Sequence, residues 1–198
     1  MNAFLFGPVH GFMLWNLFLA AIPASLALAL FTRPWRRGTV WWLGLGAWVL
    51  FLPNAPYLLT DVVHMVHDIQ HARSDAWAYV VITTYAALFA LGLASYALSL
   101  QLFRRHLHRT VRAGLIAPIV ILVHALCVIA MYLGRYLRLN SWDVVLAPQQ
   151  VAGSVLRVPG PLTVAVLLTM FVVVGIGVFV MAATFDKVAA RARRWNLL

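Results

Sequence analysis

The chain has 198 residues, of which 64% are hydrophobic and 10% charged, with a mean hydropathy of +0.90. Soluble globular domains are only about 45–50% apolar, so this composition excludes one and leaves an integral membrane protein. The formal net charge of +10 comes from 15 Lys and Arg against 5 acidic residues. The cations sit in short clusters between apolar runs, so they act as topology determinants and no nucleic-acid partner is expected.

A membrane helix needs about 20 apolar residues, and the first run that qualifies covers about 9–31. No cation precedes it, and its apolar core is longer than a secretory signal requires, so an uncleaved helix is expected. Arg33, Arg36 and Arg37 follow, and a second span covers about 40–59. Pro53 and Pro56 break this span, because each lacks a backbone donor and frees a carbonyl that needs another partner in lipid. Asn54 is placed to supply one. A third span covers about 77–103, with Trp77, Tyr79 and Tyr85 as expected interfacial anchors toward its start. Ala21, Ser25 and Ala29 in the first span, and Ala86, Ala90 and Ala94 in the third, repeat every fourth residue as small stripes that let membrane helices approach. The fourth span covers about 114–133 and the fifth about 162–185, with a Pro- and Gly-containing polar segment between them. The expected fold is an all-α polytopic bundle of five spans. With no internal repeat or low-complexity linker, residues 1–198 read as one domain.

The loop charges set an expected orientation. One set holds Arg33, Arg36, Arg37, Arg104, Arg105, Arg109, Arg112, Lys187, Arg191, Arg193 and Arg194, with Asp186 as its acid. The other set balances Arg73, Arg135, Arg138 and Arg157 against Asp61, Asp68, Asp75 and Asp143. By the positive-inside rule the first set is cytoplasmic, with the N-terminus outside and the C-terminus inside. The cationic stretches 104–112 and 187–194 should attract anionic inner-leaflet lipids.

The chemistry-bearing residues gather just after the proline break. If 60–75 is one helix, Asp61, His64, Asp68, His71 and Asp75 fall within an arc of about 80°, with His67 beside it. Imidazole and carboxylate at this spacing can ligate a divalent metal such as Zn, Mn or Fe, which makes Asp61, His64, Asp68 and His71 the candidate ligands. The same groups can form an acid/base pair in which Asp61 orients His64. The bland alternative is the solvated face of a short surface helix. On the same expected side, Gly134 to Asp143 (GRYLRLNSWD) follows the fourth span. Arg135 and Arg138, three apart, would share one side of the helix end and can fork onto a phosphate or carboxylate, or pair with Asp61 or Asp143. Asn140, Ser141 and Asp143 can cap a following helix. His124 and Asn16, each alone in an apolar run, are expected to make an interhelical hydrogen bond, with a proton relay as the lesser reading. The single cysteine, Cys127, lies in an apolar run. The chain has no P-loop, GxSxG, HExxH or CxxC.

At Leu52 to His64 (LPNAPYLLTDVVH) and at GRYLRLNSWD the sequence resembles the bacterial membrane family called domain of unknown function 1361. The resemblance implies a polytopic bacterial inner-membrane protein with Asn54, Asp61, His64, Arg135, Arg138, Asn140 and Asp143 at its motif positions, and it carries no activity. Three functions therefore stand as expectations. The first is a membrane-embedded enzyme acting at the outer face on a lipid or lipid-linked anionic substrate, with Asp61 and His64 catalytic and Asn54, Arg135, Arg138, Asn140 and Asp143 holding substrate. The second is a scaffold or accessory subunit in which the same residues clamp helices together. The third is a transporter, favoured by the broken second span.

Overall fold

In the computed structural model, residues 11–33, 38–139, 143–155 and 160–194 are described. Within them the chain is helical: α1 Gly11–Thr32, α2 Thr39–Phe51, α3 Asn54–Tyr57, a 3-10 turn Leu58–Asp61, α4 Val62–Gln70, α5 Asp75–His108, α6 Ala113–Tyr136, α7 Asp143–Leu146, α8 Pro148–Val155 and α9 Pro161–Arg194. Five helical stretches are long and apolar enough to cross a membrane: α1, the composite Thr39–Gln70, α5, α6 and Pro161–Ala192 of α9. The protein is membrane-integral. Its surface agrees, since large apolar side chains such as Phe18, Leu43 and Phe179 stand exposed where lipid is the solvent.

The break in the composite span follows from its two prolines. Pro53 withholds a donor from the Val49 carbonyl and Pro56 withholds one from Leu52, so helical bonding fails twice within a turn. Ala55 N–H turns to the Leu52 carbonyl that Pro56 frees, at 3.3 Å, and the Phe51 carbonyl it would have met in a continuous helix takes the Asn54 side-chain amide at 3.0 Å. Asn54 thus does what the sequence assigned to it. Single prolines behave differently, for α1 runs through Pro23 and α6 through Pro118 without interruption.

α1 packs most extensively on α5, and the broken segment wedges against both. Gly92 on α5 makes the wedge feasible, because a Cβ there would lie 2.5 Å from the Ala55 carbonyl oxygen. At the end of the bundle bearing the α1–α2 and α5–α6 connections, Phe31, Trp48 and Phe103 form a buried aromatic cluster, with His106 stacked on Trp41. Further along the bundle, buried His124 ties three helices together. Tyr96 Oη on α5 meets its Nδ1 at 2.9 Å, and its Nε2 lies 3.1 Å from the Phe171 carbonyl of α9. A carbonyl can only accept, so Nε2 carries the proton and Nδ1 accepts from the tyrosine. This interhelical role is the one its isolation in an apolar run implied.

The small-residue stripes need correcting. Ala21, Ser25 and Ala29 are exposed, as are Ala86 and Ala90, while the close contacts use Ala20, Ala27, Ala97 and Gly92. Every-fourth spacing defines a face but not whether that face meets protein or lipid.

Candidate functional site

The site lies at the opposite end from the aromatic cluster, where the composite span turns from α3 into α4. The 3-10 turn presents Asp61 inward, and the residue is only 4% exposed. Asn16 on α1 donates its side-chain amide to Asp61 Oδ2 at 3.2 Å. Arg135, in the last turn of α6, places Nη1 3.9 Å from Asp61 Oδ1 and 3.5 Å from His64 Nε2. The His64 ring also lies 5.1 Å from the Phe12 ring of α1. Two signatures more than seventy positions apart, 52–64 and 134–143, therefore meet through Arg135, Asp61 and His64.

Both arginine contacts are long. Charge-assisted N–H···O bonds close to about 2.7–2.9 Å, so this guanidinium lies between carboxylate and imidazole without closing a short bond to either. The Nη1 group can only donate, so a hydrogen bond between them is one that His64 Nε2 accepts.

Arg138 occupies a different position from the one its spacing predicts. Helix α6 ends at Tyr136, and Arg138 takes a left-handed backbone with φ 56°. The chain folds back there, and Leu139 N–H reaches the Leu133 carbonyl at 3.3 Å. Gly134 permits this close return, since a Cβ would lie 3.2 Å from the Tyr57 ring and 3.3 Å from the Leu139 carbonyl oxygen. Three-residue spacing puts two side chains on one side only while the helix lasts. Arg138 instead faces a cavity of about 530 Å³. Its rim carries Asn16, Asn54, Tyr57 and Arg138, and its apolar wall includes Leu19, Val49, Val123, Leu126 and Cys127.

The four-residue metal set is not gathered. Among the described residues no group of three or more His, Cys or Asp side chains is arranged to hold a metal ion. The uniform helical wheel fails at both ends, because Asp61 precedes α4 in the tighter turn and His71 follows it with φ −103° and ψ 12°. Asp68 turns to α5, where it accepts from the Tyr85 hydroxyl at 2.9 Å, and lies 3.6 Å from His67. His71 stacks on His67 with ring centroids 4.2 Å apart and donates Nδ1–H to the His67 carbonyl at 2.8 Å. Asp61 and His64 thus belong to one cluster, Asp68 and His71 to another. Asp75 begins α5 and is exposed, and half-buried Asp143 begins α7. Asn140, Ser141, Trp142 and Arg157 lie outside the described residues.

A family model described as Protein of unknown function (DUF1361) matches residues 15–180, a stretch that includes both signatures and every residue of this cluster except Phe12. The chain belongs to this family. Neither a curated protein nor a solved structure matches it. The DUF1361 resemblance rested on the two signatures, and the matched stretch also takes in Asn16. Sequence reasoning gave Asn16 an interhelical hydrogen bond but not membership of the site. Its one available signal was a lone amide in an apolar helix.

Proposed function

We propose that this protein is a bacterial inner-membrane enzyme acting at the extracytoplasmic face on a lipid or lipid-linked anionic substrate. The loop charges support that orientation, with the cation-rich connections cytoplasmic, the N-terminus outside and the C-terminus inside. The observation that carries the reading is the placement of Arg135, 3.9 Å from Asp61 and 3.5 Å from His64, beside a cavity whose rim holds Arg138, Asn16 and Asn54.

The chemistry follows from what Arg135 would exchange. An anionic group arriving at its guanidinium offers a stronger, forked pair than the long contact to His64. Moving toward that anion releases the His64 Nε2 lone pair, so substrate binding exposes a general base. Asp61 sits on the other side of the guanidinium, where it fixes the charge that orients the substrate, and Asn16 fixes Asp61 in turn. Asn54 has its amide on the Phe51 carbonyl and presents to the cavity from the break itself.

The test is complementation of a deletion strain with comparative lipid analysis of the envelope. Wild type should clear an anionic lipid species that accumulates in the deletion, and His64→Ala, inserted at wild-type level, should not. Full clearing by that variant refutes the enzyme reading.

The burial of Asp61 favours a second reading, a scaffold or accessory subunit in which Asn16, Asp61 and Arg135 clamp α1, the broken span and α6. In that case function tracks stability across variants, and His64→Ala is harmless.

A further inference from the structure

The cavity beside the cluster has a shape that narrows the class of ligand. On α6 its lining runs from Val123 to Gly134, eleven residues apart. At 1.5 Å per residue this is about 16 Å, or roughly half of a hydrocarbon core about 30 Å thick. Its polar groups, on Arg138, Asn16, Asn54 and Tyr57, lie at the end near the proline break, and the deeper wall of Leu19, Val49, Leu50, Val123 and Leu126 is apolar. A cavity of this length, with its polar groups at one end and an apolar wall below them, matches the outline of a single hydrocarbon chain with a polar head. Trp15, Val49 and Leu126 line the slot yet are exposed, so it opens sideways to lipid and a chain can enter from the bilayer.

The geometry points to a slot for one amphiphile, its phosphate or carboxylate on Arg138 at the rim and a single apolar chain reaching toward the bilayer midplane along α6. Arg138 is the cation the slot itself presents, whereas Arg135 is engaged with Asp61 and His64. Anion capture by Arg138 would place the head group next to Asn16, whose amide also holds Asp61. The chain class thereby deepens the enzyme reading and rests on it for what happens at the head group, while binding itself can be measured without any turnover.

Cys127, the single cysteine of the chain, is buried and unreactive, so the probe is Leu126→Cys in a Cys127→Ala background: position 126 lines the slot and is 51% exposed, and its labelling by N-ethylmaleimide reports occupancy with no background from other thiols. The full chain would be purified in a sterol detergent, whose rigid body differs from the single flexible chain under test. Dodecyl phosphate at ten times its dissociation constant should slow labelling about tenfold, since about one site in ten then remains open. Inorganic phosphate alone should leave the rate unchanged, which separates a lipid head group from a free anion. Dodecyltrimethylammonium should protect far less at equal concentration. Arg138→Ala should abolish the preference for the phosphate, and Ala130→Phe, which fills the slot, should remove its binding.

Equal protection by both amphiphiles, protection by inorganic phosphate, or a rate that no chain alters overturns the slot. Protection that persists in Asp61→Asn and His64→Ala, alongside full clearing by His64→Ala in cells, would sink the enzyme reading alone. Loss of clearing in His64→Ala with no protection in wild type would sink the slot alone.

Discussion

Removing one partner from the Asp61–Arg135 pair should expose how that cluster is held. The side chains are 5% and 23% exposed and 3.9 Å apart. At an effective dielectric near 20 their gross attraction is about 4 kcal/mol, and taking both charges out of water offsets much of it. The net worth of the pair is therefore small, but a lone survivor is costly. Arg135→Ala leaves Asp61 with the Asn16 amide and no cation within 4 Å among the described residues, and should destabilise by about 3 kcal/mol. Asp61→Asn keeps an acceptor for Asn16 and strands only a guanidinium with some access to solvent, so about 1–2 kcal/mol is expected. The double variant should cost no more than Arg135→Ala alone, giving a coupling of at least about 1 kcal/mol. The assay is SDS titration from mixed micelles followed by circular dichroism, on variants first shown to insert. Additivity within about 0.5 kcal/mol would refute the idea that these residues act on one another.

Two glycines should respond with opposite signs. Gly92→Ala puts a Cβ 2.5 Å from a backbone oxygen that has no rotamer to move and should cost more than about 2 kcal/mol, while Gly46→Ala, with nothing within 4 Å, should gain up to about 1 kcal/mol of helix propensity in the same titration. Arg138→Gly relieves a left-handed backbone at φ 56° and should hold or raise stability by about 1 kcal/mol while losing dodecyl phosphate protection of the Leu126→Cys probe, which separates backbone cost from anion binding. Tyr96→Phe leaves His124 Nδ1 without its donor and should cost about 1 kcal/mol, with Gly175→Ala milder because its Cβ would rest 3.5 Å from His124 Nε2. Dual reporter fusions after Gln70 and after His108 should report opposite sides, periplasmic and cytoplasmic respectively; the reverse pattern would sink the orientation.

The fold was legible because its signal is collective. A run of twenty apolar residues needs no detailed packing to be read, since a backbone in lipid must satisfy itself as helix. The proline break was legible for the same reason, down to the carbonyl that Asn54 covers. Packing was not legible. Ser25 and Ala90 lie on small stripes like those at helix contacts and face outward, whereas Gly92, which does permit contact, belongs to no stripe. Lipid and a neighbouring helix offer a small apolar side chain almost the same environment, so composition cannot choose between them.

For the site, sequence reasoning succeeded where it compared segments and failed where it extended one. The meeting of 52–64 with 134–143 followed from counting spans and asking which loops share a side, and Arg135 does reach Asp61 and His64. The metal set came from carrying one helical angle across residues that include a 3-10 turn and a helix end, and it dissolved at those two points. The same error paired Arg135 with Arg138. The end of α6 falls between them, so the two guanidinium groups acquire different surroundings, one facing the buried carboxylate and imidazole and the other the slot. That separation has a chemical consequence. A single cation asked both to anchor a head group and to hold His64 would lose one task whenever it performed the other. With Arg138 at the slot, Arg135 can exchange His64 for the substrate without releasing the amphiphile. Arg138→Ala should therefore weaken substrate capture with the reaction intact at saturating substrate, and Arg135→Ala should lose the reaction even when the slot is full.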